Sequence, residues 1–291
     1  MTAFENQQQE YREHINAYLQ AYYARFYTEP QKDLFDAMNY SLLAGGKRLR
    51  SILVFAFCQM LGGDWKKALP LGAAIEMIHT YSLIHDDLPC MDDDDFRRGK
   101  PTNHKVYGEA MAILAGDALV TDAFTVASSA QLPAQAVLEA IQVLSECAGS
   151  LGMVGGQVLD IESEKRALTE QEVLDIQTRK TGALIRAACA MGAIAGGANE
   201  SQFDAACQYA AGLGLAFQIR DDMLDVIGSA QELGKTVGTD EKKNTFIRLY
   251  GLETCEALVS KYTNYALSAL DIFDDSAFLS QLARSMTDRM K

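Results

Sequence analysis

The placement of proline constrains this chain more than any other feature: Pro30, Pro70, Pro89, Pro101 and Pro133 all lie in its first half, and none follows up to Lys291. Proline lacks an N–H and clashes with the preceding helical turn, so only the second half is open to long uninterrupted helices. Ala, Leu, Glu, Gln and Met dominate, while alternating Val/Ile/Thr runs bounded by turn residues are scarce. The chain therefore reads as all-α. Helices are expected near 3–26, 31–43, 47–62, 67–90, 105–130, 134–162, 170–197, 201–228, 240–249, 251–269 and 275–289. Pro30 and Pro70 stand where a helix can start, and Gly62–Gly63 where one can stop. No repeat, low-complexity tract or linker composition divides residues 1–291, so a single domain is expected.

A net charge of −13 argues against nucleic acid as a partner, because phosphate-backbone binding needs a basic stripe. Any anionic substrate must be met by local cations. The opening MTAFENQQQEYREH is polar and acidic, unlike a signal peptide, which points to a cytoplasmic protein. The weakly polar stretch Thr181 to Ala198 carries Arg186 and consists mostly of Ala and Gly, so a closely packed buried helix explains it better than a stable membrane span. Cys58, Cys90, Cys147, Cys189, Cys207 and Cys255 are scattered singly, as expected of reduced thiols rather than a zinc site.

Two aspartate clusters carry the strongest chemical signal: DDLPCMD (Asp86, Asp87, Asp92) and DDMLD (Asp221, Asp222, Asp225). Each follows an apolar helical stretch, where carboxylates are costly to bury unless a cation pairs with them. Residues 221 and 225 lie about 40° apart around a helix, one turn from each other, which suits a shared Mg²⁺. Asp86 and Asp92 are six apart, about 120° on an ideal helix, so a plain helix would not converge them. Pro89 stands between them, and a deformed last turn is expected to swing Asp92 back toward Asp86. A single acidic run can be merely a solvated face. Two such clusters, each beside arginine or lysine, point to metal.

The basic residues come in packets: GGKRLR (Gly45 to Arg50), Arg97–Arg98, Arg179–Lys180 and Lys235. Arginine and lysine neutralise phosphate oxygens that a metal does not hold. GGKRLR by itself is also compatible with an exposed helix start. His79 lies two helical turns before Asp86 and can donate to a phosphate, or it can be a satisfied structural histidine.

GGKRLR, HDDLPCMDDDDFRRGKPTNH, GGQVLDI (Gly155 to Ile161), RKTGALI (Arg179 to Ile185), FQIRDDMLD and GKTVGTD (Gly234 to Asp240) resemble, in order, the motifs of the trans-isoprenyl diphosphate synthases. LPCM between the first aspartates resembles the bacterial type of farnesyl-forming member. The resemblance implies the isoprenoid synthase fold, a bundle of about ten or more long helices around a central cavity, as one polyprenyl synthetase domain. It implies a homodimer. It also implies that Gly46, Lys47, Arg50, His79 and Arg98 bind isopentenyl diphosphate. Asp86 and Asp92 would hold two Mg²⁺ ions and Asp221 a third, gripping the allylic diphosphate together with Arg97, Lys180 and Lys235. Thr181 and Gln218 would lie near the carbocation, and Gln157 and Asp160 would serve as support or as plain helix-packing groups.

The implied reaction is condensation of isopentenyl diphosphate with dimethylallyl or geranyl diphosphate. Charge developing on the departing diphosphate is met by metals and cationic side chains, and no nucleophilic serine or cysteine is needed. Chain length should be set by what blocks the tunnel below the first motif. Tyr81 and Ser82, five and four residues before Asp86, point back along it. A tyrosine there resembles the farnesyl producers, with geranylgeranyl as the second choice and a geranyl product as the remaining alternative. A terpene cyclase and a non-catalytic regulatory subunit are the competing readings, and retention of both aspartate motifs counts against each.

Overall fold

The computed structural model describes residues 2–163, 166–232 and 246–287. Its helices are α1 (Ala3–Ala24), α2 (Lys32–Leu42), α3 (Leu49–Met60), α4 (Leu69–Asp86), α5 (Asn103–Tyr107), α6 (Glu109–Ser128) and α7 (Ala134–Ala148). They continue with α8 (Met153–Ser163), α9 (Glu170–Gln177), α10 (Ala183–Ala195), α11 (Glu200–Glu232), α12 (Phe246–Ser268) and α13 (Ala277–Thr287). The only strands among the described residues are β1 (Phe96–Arg97) and β2 (Lys100–Pro101), an antiparallel pair inside the polar segment after the first aspartates. The all-α expectation holds.

The boundaries depart from expectation where backbone chemistry intervenes. The helix expected over 67–90 stops at Asp86, three residues before Pro89, which has no N–H to continue the ladder. The run 105–130 is broken at Gly108 (φ +84°), and 134–162 is broken around Gly149 and Gly152. Within 170–197, residues Thr178–Gly182 form a π-turn that joins α9 to α10. The expected gap at residue 250 appears as a kink at Gly251 (φ +74°).

The described residues gather into two compact units, 1–142 with 194–197 and 143–193 with 198–291. In the first unit, α1 buries Tyr11, Ile15, Leu19 and Tyr23, one per turn of a single stripe. α4 is buried on nearly every side from Pro70 to Thr80, which explains why its sequence is apolar all round. It packs closely on its neighbours: a Cβ on Gly72 would stand 2.5 Å from the Phe55 ring, and one on Gly116 of α6 would stand 2.0 Å from His85 Nε2. The second unit has a core of Val173, Ile176, Ile219, Met223, Phe246, Cys255 and Val259. There α11 touches α12 at Gly212, where a Cβ would meet Tyr262 O at 2.7 Å. The stretch from 181 to 198 is buried at Leu184, Ile185, Ala187, Ala188 and Met191, as its small residues predict. Two other helical stretches, Glu109–Ser128 and Ala134–Ser163, are long and apolar enough to cross a membrane by length and composition alone.

Candidate active site

Beyond α4 the ladder runs on only to Leu88, whose N–H donates to His85 O (3.2 Å), and then the chain turns back. Asp92 N donates to Asp86 O (2.9 Å), and Asp93, at φ +53°, donates to Leu88 O (3.1 Å). The return of Asp92 to Asp86 thus comes from a turn that replaces the helix, not from a deformed helical turn. Asp86 is half-buried and Asp92 exposed, so the carboxylates are not sealed away from a ligand.

Asp87 behaves differently from both neighbours. It is 3% exposed, and its Oδ1 accepts from Arg97 Nε at 2.6 Å, while Arg97 Nη2 also reaches Asp94 Oδ2 (3.2 Å). Burial raises the Asp87 carboxyl pKa above its ordinary range, with Arg97 opposing. The β1–β2 hairpin and the Thr102 bonds to Asp95 O (3.0 Å, from the amide) and Asp94 O (2.7 Å, from the hydroxyl) fix this segment. Sequence reasoning placed Asp87 only as one more member of an acidic run, and the following arginine pair was the signal that it needed a partner. Arg97 and Arg98 line one pocket together with Asp87, Thr80 and Tyr40.

The structure brings Gly46, Arg50, His79 and Arg98 together. Gly45 (φ +88°) and Gly46 (φ +133°) adopt backbone that side chains avoid, and Arg98 Nη1 donates to Gly45 O. A Cβ on Gly46 would press on the Arg98 guanidinium at 3.0 Å. Arg50 Nε is buried and has no hydrogen-bond partner. Burial, and then the charges of Arg50, Arg98, Arg48 and Arg97, push the His79 pKa well below its ordinary value, leaving a neutral imidazole at neutral pH. Lys47 is exposed on the same loop. On α4, the Ser82 hydroxyl donates back to His79 O (2.9 Å). The Tyr81 ring meets His85 edge-on at 5.7 Å, and His85 Nε2 lies 3.1 Å from Ile113 O. Tyr81 therefore rests on a ring that α6 holds still.

In the second unit, Lys180 Nζ pairs with Asp160 Oδ2 at 2.6 Å. Lys180 and Thr181 sit in the π-turn, a geometry that recurs at functional sites. Gly156 of α8 allows it to approach: a Cβ there would stand 2.3 Å from Lys180 N. Thr181, Gln218 and Asp221 are half-buried. Asp222 is 8% exposed; its Oδ1 accepts from Gln218 Nε2 (3.0 Å) and its Oδ2 from Phe246 N (3.0 Å). It orients Gln218 and caps the start of α12, a role that the sequence did not reveal. The Asp225 side chain and Lys235, with the GKTVGTD motif, lie outside the described residues. Among the described residues, no three His, Cys, Asp or Glu side chains form a group that could hold a metal by themselves.

A model of the polyprenyl synthetase family matches residues 31–269. The farnesyl diphosphate synthase of Micrococcus luteus is 50% identical over 246 residues, covering 84% of each chain. A chloroplastic geranylgeranyl pyrophosphate synthase of Catharanthus roseus is 47% identical over 251 residues, 84% of this chain and 70% of that one. Among solved structures, an FPP/GFPP synthase from Zymomonas mobilis is 37% identical and covers 98% of each chain with a TM-score of 0.88. The order of motifs, the helices that carry them and these matches agree: this chain belongs to the polyprenyl synthetase family and has the all-α isoprenoid synthase fold.

Proposed function

We propose that this chain is a prenyltransferase that condenses isopentenyl diphosphate head-to-tail with dimethylallyl or geranyl diphosphate, giving farnesyl diphosphate. One observation carries the reading: Arg98 lies against Gly46, Arg50 has a buried Nε with no partner and shares this charged cluster with His79, and the chain turns after α4 so that Asp92 N bonds back to Asp86 O. That is an anion site with donors to spare beside carboxylates open to a cation.

The donors fit Mg²⁺. Asp86 and Asp92 offer hard oxygen ligands, and the exposure of Asp92 leaves positions for phosphate oxygens, which Mg²⁺ prefers to a complete protein cage. Asp86 and Asp92 would hold it in the first motif and Asp221 in the second, where it supplies positive charge to the departing diphosphate. Arg97, Lys180 and Lys235 would neutralise the rest of the allylic diphosphate. Asp87 keeps Arg97 aimed, and Asp160 keeps Lys180 aimed. Gly46, Lys47, Arg50, His79 and Arg98 would bind isopentenyl diphosphate. Its double bond attacks the allylic cation beside Thr181 and Gln218, and the proton lost afterwards passes to the released diphosphate.

A row of exposed apolar side chains, Leu151 (78% exposed) in the turn before α8 and Val154, Val158 and Ile161 at helical spacing along it, supports a homodimer that covers them. With that face covered, we read the chain as a single-domain cytoplasmic protein with no membrane span.

Similarity to a geranylgeranyl pyrophosphate synthase supports a second reading, in which the product is one isoprene unit longer. Incubation of purified protein with Mg²⁺, isopentenyl diphosphate and either starter, with a chelator control, separates the two. Farnesyl diphosphate, lost with the chelator, is the expected product, and Tyr81→Ala should lengthen it. A geranylgeranyl product from the wild type would keep the reaction and discard Tyr81 as the stop. No condensation with either starter would overturn the enzyme reading.

A further inference from the structure

The loop that carries Gly46 and Lys47 is closed by a guanidinium outside the substrate-binding set. Arg48 stands at the N-cap of α3 with φ +52°, a left-handed conformation that a non-glycine residue keeps only when its surroundings hold it there. It is 4% exposed. Its Nε donates to Asn16 Oδ1 of α1 (2.9 Å), its Nη2 to Leu42 O at the end of α2 (2.7 Å) and its Nη1 to Glu76 Oε2 of α4 (3.2 Å). Glu76 is buried as deeply, and its Oε1 accepts from the Ser51 amide (3.3 Å) in the first turn of α3. The Ser51 hydroxyl lies 3.1 Å from the same oxygen and 2.9 Å from Gly72 O.

The stretch from Leu42 to Ser51 is therefore pinned at both ends by one ion pair, and the pin sits on α4 one turn before His79. Stability alone does not explain the pair, because apolar side chains of the same volume serve a core at least as well as a buried ion pair. What the pair adds is direction: it fixes both ends of a loop rich in glycine, whose backbone would otherwise sample many conformations.

We propose that the buried Arg48–Glu76 pair is a positioning device that holds Gly46, Lys47 and Arg50 against His79, so that their donors converge on the isopentenyl diphosphate before it arrives. The inference rests on the reading of that cluster as the isopentenyl diphosphate site. Neither Arg48 nor Glu76 touches substrate. Their contribution is preorganisation, and it should appear in affinity for one substrate and not the other.

The test replaces both partners, Arg48→Met with Glu76→Met, which removes the bonds together with both charges of the pair. Wild type and variant are compared by circular dichroism and melting. Calorimetric titration with isopentenyl diphosphate, in Mg²⁺ and a non-ionising allylic thiolodiphosphate, gives the affinity, and steady-state kinetics follows with each substrate varied. A helical variant that melts cooperatively is expected, with Kd and KM for isopentenyl diphosphate raised by about tenfold and the allylic KM within about twofold of wild type. A folded variant with wild-type affinity for isopentenyl diphosphate overturns the proposal. So does an equal rise in both KM values, which general loosening would produce. Asn16→Ala, which removes only the Nε acceptor, serves if the double variant does not fold. It should raise the isopentenyl diphosphate KM alone, by about threefold, and an unchanged value again overturns the proposal. A wild-type chain that binds no isopentenyl diphosphate in the titration overturns the site assignment itself, before any variant is read.

Discussion

The two aspartate pairs, Asp86–Asp87 at the end of α4 and Asp221–Asp222 within α11, lie in different units, yet each divides its work in the same way. The first member of each pair is half-buried. The second is buried and holds a neighbouring functional group: Asp87 grips Arg97, and Asp222 holds Gln218 while capping Phe246. Adjacent residues on a helix point about 100° apart, so a DD dipeptide at the edge of a helix puts one carboxylate at the open side and the other toward packed neighbours. What differs is the third aspartate. Asp92 reaches Asp86 only because the chain leaves the helix, whereas Asp225 follows Asp221 by one turn of an unbroken α11. The first motif thus depends on a turn and a hairpin, and the second on helical regularity.

The sharpest way to break this comparison is to remove the half-buried members. Asp86→Ala and Asp221→Ala should each lower turnover by about a thousandfold, about 4 kcal/mol of barrier, with the helical dichroism unchanged. Near-normal turnover in either variant would end the parallel, and in both it would end the metal assignment.

A smaller effect of a different kind is expected from the buried member of the second pair. Asp222→Ala leaves the Phe246 amide and the Gln218 side chain without their acceptor, and should cost about 1–3 kcal/mol in urea unfolding. Turnover per folded molecule should fall far less than in Asp221→Ala. If Asp222→Ala instead matched Asp221→Ala in turnover and left stability untouched, the division of labour within the pair would be wrong.

The sequence made these motifs legible to unequal depth. Helix content followed from proline placement and composition, and the Pro89 argument located the departure from helix before Asp92, because a missing N–H is a local fact. The spatial partners of Asp87, Asp222 and Asp160 were hidden, since Phe246 is twenty-four residues from Asp222 and Lys180 twenty from Asp160. The π-turn at Thr178–Gly182 was hidden too: it depends on a glycine, Gly156, in another helix. In sequence Arg48 belongs to a basic packet with Lys47 and Arg50, yet it faces inward to Glu76. A packet of like residues says nothing about which member turns inward, and only packing decides that.

The smallest expected effect concerns charge at His79, the imidazole in the first unit that faces several arginines and lies two turns before Asp86. Burial comes first and the nearby guanidinium groups second, and both hold its folded pKa below the ordinary value of about 6.5. As pH falls through about 6.5 the unfolded chain takes up a proton that the folded chain refuses. The stability from neutral His79 is therefore complete above that pH and is lost progressively below it, toward the depressed folded pKa. Between pH 7.5 and 5.5 the Tm of the wild type should fall further than that of His79→Asn, by on the order of a few °C. Inorganic diphosphate should shrink the difference, because an anion among Arg50, Arg98 and His79 favours the protonated imidazole and raises its folded pKa. A difference that diphosphate leaves unchanged would show that His79 does not face the anion site.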